Sequence, residues 1–251
     1  MSCLVLLSGG LDSAVTFYDL LHKAKKEQIL TTSSPSGDRR RQVFGPVHAA
    51  AFYYGQRHES ELAAAEKVFK TAQDQGLPTG RFFTPPTLET FSGDFSSLTG
   101  PTQVAVYENP PTEREAMRDP AFVPYRNLLF FVAGAMLARS LDARIIGTGI
   151  RGGYPDCTEA FERRVEATLE AAVPGTVVLL YSAAHGSRAE TVVRARGLSG
   201  CWEALAHTVT CFQGVPYGCG NCLPCHRRAQ GFAEAGFRDP AYIVSHCTRP
   251  E

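Results

Sequence analysis

The chain has 251 residues, of which 44% are hydrophobic and 20% charged, a composition typical of a protein with a globular core. Basic and acidic residues number 25 each, so the formal net charge is zero and broad electrostatic binding of nucleic acid is not expected. No apolar run approaches the roughly 18 residues of a membrane helix. The first residues show neither the charged region nor the cleavage pattern of a signal peptide, so we expect a cytoplasmic protein without a membrane partner.

The amino-terminal stretch combines a short apolar strand, a glycine turn and the start of a helix. Residues 3–7 are apolar and predict a buried strand, and Gly9 and Gly10 permit a tight turn after it. Asp12 and Ser13 are expected to cap the helix that follows. Such a turn directs backbone N–H groups and the positive end of a helix towards one point, which predicts an anion site, most simply for a phosphate.

The turn itself reads Ser8-Gly9-Gly10-Leu11-Asp12-Ser13, which is neither the Walker lysine motif nor G-x-G-x-x-G. It resembles the pyrophosphate loop of the N-type ATP pyrophosphatases, which adenylate an oxygen and release pyrophosphate. The resemblance implies that Leu7 to Ser13 bind ATP, with serine hydroxyls donating to phosphate oxygens and Asp12 capping the helix or organising magnesium (Mg²⁺). The alternative is an ordinary glycine turn between a strand and a helix.

Strands and helices alternate along the chain, which predicts an α/β fold with a doubly wound, mostly parallel sheet. The expected strands after the first lie at 47–54, 81–84, 143–147 and 177–180, and the expected helices at 59–73, 127–141, 159–172 and 187–195. Residues 31–42 and 85–124 lack apolar periodicity and predict long loops. We expect a nucleotide-binding domain over 1–200 and a distinct carboxy-terminal segment over 201–251, because cysteine becomes frequent there.

That segment carries six of the eight cysteines of the chain, and four of them form the pattern C-x7-C-x2-C-x2-C: Cys211, Cys219, Cys222 and Cys225. Cysteines without an export signal argue for metal or thiol chemistry rather than disulfides. Four thiolates form the closed tetrahedral site that structural zinc (Zn²⁺) prefers, and metal binding would fold a segment with little apolar mass. An iron–sulfur cluster is the main alternative, since C-x2-C-x2-C also occurs in ferredoxins.

Five blocks in this order resemble the 7-cyano-7-deazaguanine synthases of the queuosine and archaeosine pathway. The first is the glycine loop, and the others are Tyr54-Gly55-Gln56-Arg57-His58, Phe122-Val123-Pro124-Tyr125-Arg126-Asn127, Gly153-Tyr154-Pro155-Asp156-Cys157, and Thr210-Cys211 with Cys219, Cys222, Cys225 and Arg228. They cover nearly the whole chain. The loop is shared with many relatives, whereas the second, fourth and fifth blocks together are far more specific.

The resemblance implies a reaction in which 7-carboxy-7-deazaguanine becomes a nitrile at the cost of ATP and ammonia, through an adenylated intermediate. It implies ATP, magnesium and zinc as cofactors and a homodimer. Arg57 or Arg126 would pair with the carboxylate or a phosphate, His58 would carry protons, and Asp156 would bind the guanine-like face. With Asp12 these four are the candidate catalytic residues, whereas Cys157 is assigned a structural role because no activating base is evident nearby.

The chain departs from the family pattern at several positions. Tyr125 replaces a glycine, and Arg188 replaces a lysine. The stretch from Gly147 to Gly152 is shorter than in the family, and Arg151 falls near the position of its usual acidic residue. A tyrosine is expected not to substitute for a glycine that needs positive φ. We expect these departures to lie around the substrate rather than at the nucleotide loop, which leaves the acceptor of the activated acid open.

Three other functions are therefore compatible with the sequence. A diverged enzyme could join the activated acid to another amine, including one on a protein. A tRNA thiolase would share the loop and use its cysteines to carry sulfur. A zinc-stabilised regulator without enzymatic activity would bind ATP and release no AMP.

Overall fold

A computed structural model describes residues 2–32, 45–54, 56, 60–84, 123–151, 154–174 and 179–242, and of residues 28–32 the backbone alone. Arg57 and His58 lie outside these ranges, as do most of the two predicted long loops. The described chain forms five strands, seven α-helices and a 3-10 turn at Pro155–Cys157. Among those helices, none is both long and apolar enough to cross a membrane.

The strands are β1 Ser2–Leu6, β2 Val47–Ala50, β3 Thr79–Phe83, β4 Ala143–Gly147 and β5 Leu179–Tyr181. The helices are α1 Leu11–Thr32, α2 Ser60–Asp74, α3 Arg126–Ser140, α4 Glu159–Ala172, α5 Arg188–Gly197, α6 Cys201–Leu205 and α7 Leu223–Glu234. The alternation confirms the predicted α/β class.

The sheet has the order β3-β2-β1-β4-β5, and all neighbouring strands pair in parallel. From β1 the chain proceeds outwards to β2 and β3, and then returns to the other side of β1 to form β4. The connections therefore leave β1 and β4 in opposite directions, which opens a crevice at their carboxyl ends. The glycine loop after β1 and residues 148–151 after β4 border this crevice.

The central strand β1 is buried on both faces, as parallel strands usually are. Cys3 and Val5 belong to one core with α1, α2 and the carboxy-terminal helices, including Leu205 and Phe232. Leu4 lies in a second core, where it meets residues of β4 and α3. This alternation explains why every side chain from position 3 to position 5 is apolar, and it fixes the direction of the loop that follows.

The predicted elements match the structure best where the periodic pattern is long. Helix α4 has the predicted bounds, whereas β2 ends at Ala50 rather than at residue 54 and the short helix α6 was not predicted. The expected capping role of Asp12 and Ser13 is wrong, because helix α1 begins at Leu11 and both residues lie in its first turn. The proposed division at residue 200 stays a prediction.

Tyr125 precedes α3 and adopts the left-handed conformation, with φ of 64° and ψ of 0°. The expectation that tyrosine cannot replace glycine at such a position is therefore wrong for this chain. Its side chain is 79% exposed and contributes little burial to offset a backbone strain of about 1–2 kcal/mol. The strain is instead accommodated by the turn, in which the Arg126 amide donates to the Val123 carbonyl at 3.3 Å.

We predict that Tyr125→Gly raises the free energy of unfolding by about 0.5–1 kcal/mol, since relief of strain exceeds the added entropy of the unfolded chain. Tyr125→Ala is the matched control, because it removes the same exposed ring and retains the unfavourable φ. Urea denaturation measures both. Equal midpoints for the glycine and alanine variants would show that the backbone at residue 125 is not strained.

Candidate active site

A cavity of about 380 Å³ lies at the crevice between β1 and β4. The glycine loop forms one end, the ends of β2 and α3 form the opposite wall, and the carboxy-terminal segment closes one side. Its lining includes every residue from Leu7 to Ser13 except Gly9, which lies behind the surface, together with Arg126 and Cys157. Thr210 of the fifth block also lines the cavity, so the fold brings residues of all five sequence blocks to one place.

The glycine loop is held between α2 and the carboxy-terminal segment. Gly9 has φ of +82°, and a Cβ at this position would overlap the carbonyl oxygen of Glu61. The Gly9 carbonyl accepts a hydrogen bond of 2.9 Å from the Val209 amide. A side chain at residue 9 would push the loop away from both supports, which is the physical reason for glycine here.

The polar groups of the loop converge on the start of α1. The Ser8 and Ser13 hydroxyls lie 3.1 Å apart, Ser13 Oγ donates to the Gly10 carbonyl at 3.1 Å, and the Gly10 amide donates to Ser8 Oγ at 3.4 Å. Gly149 packs so closely that a Cβ there would lie 2.5 Å from the Ser13 nitrogen. Hydroxyls and first-turn amides at the positive end of a helix form a surface able to bind a phosphate.

Asp12, in the first turn of α1, is paired with two arginines. Its Oδ1 lies 2.9 Å from Arg151 Nη2, and its Oδ2 lies 3.4 Å from Arg188 Nη2. Arg151 Nη1 also donates to the Gly186 carbonyl at 2.6 Å. Two of the departures from the family pattern therefore contact the loop directly, so the expectation that the departures lie away from the loop is wrong for these two residues.

The opposite wall of the cavity is aromatic. The rings of Phe52 and Phe130 stack with centroids 5.2 Å apart and planes at 5°, and Tyr54 lies 5.3 Å from Phe130. The guanidinium carbon of Arg126 lies 5.9 Å from the centre of the Tyr54 ring. Flat apolar surfaces beside one cation suit a planar, negatively charged heterocycle.

Glu61 is a cavity residue that the sequence reasoning missed. It lies in the first turn of α2 and lines the cavity. Burial raises the pKa of its carboxyl group to about 8, although the positive charge of Arg126 acts in the opposite direction. Its place in the sequence could have indicated this role, because it lies three residues after the Tyr54–His58 block, on the helix that begins at Ser60.

Asp156 does not line the cavity, but Tyr154 and Cys157 of the same block do. Asn127 Nδ2 donates to the Asp156 carbonyl at 3.2 Å and to Cys157 Sγ at 3.4 Å. Cys157 lines the cavity, whereas Asp156 is half-buried behind it, where burial raises the pKa of its carboxyl group. Burial also raises the pKa of Cys157 to about 12, so the thiol stays protonated at neutral pH, in agreement with a structural role.

The four cysteines predicted as metal ligands come together in the carboxy-terminal segment. The sulfur atoms of Cys211, Cys219, Cys222 and Cys225 all lie within 4.8 Å of one another. Gly218 and Gly220 take φ of +91° and +78°, and a Cβ on Gly218 would lie 3.0 Å from Cys225 Sγ. Four sulfurs at these separations fit a tetrahedral metal ion with bonds of about 2.3 Å.

Comparison with known proteins agrees with this geometry. The family model described as "Queuosine biosynthesis protein QueC" matches residues 2–236. The 7-cyano-7-deazaguanine synthase of Chromobacterium violaceum is 35% identical over 97% of this chain and 93% of its own length. The synthase of Laribacter hongkongensis is 34% identical over 94% of this chain and 92% of its own length. The synthase of Syntrophus aciditrophicus is also 34% identical, over 95% of each chain. The chain therefore belongs to the QueC family.

Proposed function

We propose that the protein converts 7-carboxy-7-deazaguanine and ammonia into 7-cyano-7-deazaguanine with ATP. The observation that carries this proposal is the single cavity that joins a phosphate-binding loop to an aromatic wall bearing Arg126. One end suits the triphosphate and the other suits a planar acid. The relatives are named 7-cyano-7-deazaguanine synthases, which supports the nitrile as the product.

The chemistry needs activation because a carboxylate has no good leaving group. A carboxylate oxygen attacks the α-phosphorus of ATP, pyrophosphate leaves, and the acyl adenylate forms. Ammonia then attacks the acyl carbon, releasing AMP and one proton and giving the amide. In a second activation the amide oxygen is adenylated with loss of pyrophosphate and one N–H proton, and loss of AMP with the remaining N–H proton yields the nitrile.

Each part of the cavity has a task in this scheme. The loop amides and the Ser8 and Ser13 hydroxyls bind phosphate oxygens, while Arg126 pairs with the carboxylate of the substrate. The rings of Phe52 and Phe130 offer faces for the deazaguanine. Positioning the two reactants and excluding water account for most of the rate enhancement. Protein groups receive the protons, with His58 as the candidate that the resemblance supplies.

The decisive experiment is mass spectrometry of products after incubation with 7-carboxy-7-deazaguanine, ATP and ammonium. We expect the free nitrile, with AMP and pyrophosphate formed alongside it. A deazaguanine amide linked to a protein would favour the conjugating enzyme. Incorporation of sulfur into tRNA would favour the thiolase. ATP binding without AMP release would favour a regulator. The conjugating enzyme is the second candidate because Tyr125 and Arg151 depart from the family pattern beside the cavity.

We predict that Asp12→Asn lowers turnover by about 100-fold or more, because Arg151 and Arg188 lose the carboxylate with which they pair once pyrophosphate has left. The fold should remain, since Asp12 borders the cavity rather than the core. Asp74→Asn is the control, as Asp74 forms an exposed ion pair with Lys70 at 3.0 Å. Steady-state AMP release measures the effect, and full activity of Asp12→Asn would remove the role assigned to this residue.

We propose that the cysteine cluster binds one zinc ion per chain. Chelation should unfold the carboxy-terminal segment and lower the melting temperature, because metal binding supplies much of the folding free energy of such segments. Elemental analysis and thermal denaturation with and without chelator test this, and added zinc should restore the original melting temperature. Bound iron, or a melt that chelator leaves unchanged, would contradict the assignment.

We also propose that the protein forms a homodimer through α3. Val132 and Met136 lie one helical turn apart on this helix and are 41% and 72% exposed. We predict that Met136→Glu shifts the protein to a monomer in light scattering, because an interface buries such apolar side chains. Val193→Glu, an exposed apolar position on α5, is the control. A monomeric wild-type protein would contradict the dimer.

A further inference from the structure

Two positively charged side chains share one carboxylate at the nucleotide loop. Arg151 and Arg188 both pair with Asp12, and all three side chains are largely buried. Arg151 Nε and Arg188 Nη1 are closed to solvent and have no hydrogen-bond partner among the described residues. The cluster thus carries one uncompensated positive charge and two unsatisfied donors, each of which costs free energy in a buried place.

The wider cavity has the same excess of positive charge. Among its described lining residues are four arginines and two carboxylic acids: Arg126, Arg151, Arg188, Arg227, Asp12 and Glu61. Burial, with the charges of Arg151, Arg228 and Arg227, lowers the pKa of Arg188, whereas Asp12 acts in the opposite direction. Because the chain as a whole is neutral, this concentration of charge marks a place for an anion.

Other residues hold the two arginines in position. A Cβ on Gly231 of α7 would lie 2.5 Å from Arg188 Cγ, so the glycine leaves the space in which the Arg188 side chain lies. Ser187 and Glu190 form a capping box that fixes the start of α5 next to Gly186, whose carbonyl accepts from Arg151. Arg151 also donates to Thr191 Oγ1 on the same helix.

The same contacts argue against magnesium on Asp12. Both carboxylate oxygens already face guanidinium groups, at 2.9 Å and 3.4 Å. A magnesium ion binds its oxygen ligands at about 2.0–2.1 Å, and here it would have to sit beside two further positive charges. The residues around Asp12 therefore do not fit a magnesium ion, in contrast to what the family resemblance implies.

We propose that Arg151 and Arg188 bind the pyrophosphate portion of the nucleotide directly, and that Asp12 is the anion they exchange for it. Guanidinium groups bind phosphate oxygens in a planar, two-pronged geometry, so a turn of each group away from Asp12 satisfies its free donors. Asp12 and pyrophosphate thus compete for the same two cations. The inference rests on the proposed function only in taking ATP as the nucleotide.

Calorimetric titration with inorganic pyrophosphate in EDTA tests the proposal without the deazaguanine acid. Wild-type protein should bind, and Arg151→Gln and Arg188→Gln should each weaken binding at least about tenfold, since each loses a charge-assisted contact. Asp12→Asn should tighten binding several-fold, because the competing carboxylate is gone. Arg194→Gln is the control, because Arg194 lies on the same helix and pairs with Asp19 away from the cavity.

Two results would overturn the proposal. One is pyrophosphate binding that requires added magnesium and is lost in Asp12→Asn, which would make Asp12 a metal ligand. The other is wild-type affinity in both arginine variants. Should Arg151→Gln or Arg188→Gln fail to fold, two other variants still test the proposal. Asp12→Asn should raise the affinity for pyrophosphate. Arg151→Lys should lower it, because lysine keeps the charge and loses the planar fork. A protein that binds pyrophosphate as expected but makes no nitrile would refute the proposed function alone.

Discussion

The close approach of the Gly9 backbone to the first turn of α2 is the constraint on which the rest of the site depends. It is possible only without a side chain, and it is secured from the other side by the Val209 amide. Because β1 is buried on both faces, the strand is fixed in the core, and the loop that follows it lines the crevice between β1 and β4. Helix α2, which supports the loop, also brings Glu61 to the cavity wall.

Charge is distributed unevenly in a molecule that is neutral as a whole. Positive side chains gather around the loop, while the opposite wall combines aromatic rings with Arg126 and the protonatable Glu61. A polyanion and a planar acid therefore each find a suitable surface within one cavity. Partial desolvation strengthens both sets of contacts, since nearly all of the lining residues are buried or half-buried.

The sequence predicts this site only where its signals are local. The glycine turn and the cysteine cluster each lie within a short stretch, so the local pattern was enough to predict an anion site at one and a metal site at the other. The pairing of Arg151 with Asp12 joins positions 139 residues apart and depends on the order of strands in the sheet, which periodicity does not supply. Tyr125 shows a different limit: residue preference predicts that tyrosine avoids positive φ, but the surrounding turn overrides that preference.

The carboxy-terminal cysteines are physically continuous with the nucleotide loop. Cys211 and Cys222 pack in one cluster with Ala64 and Val209, and Val209 is the residue whose amide holds Gly9. The proposed metal site and the proposed nucleotide site therefore share a structural element, and by thermodynamic linkage any effect of one ligand on the affinity for the other must be reciprocal. A metal ion on the proposed site would steady Val209 and thereby the Gly9 loop, which would tie the nucleotide end of the molecule to the supply of a trace element.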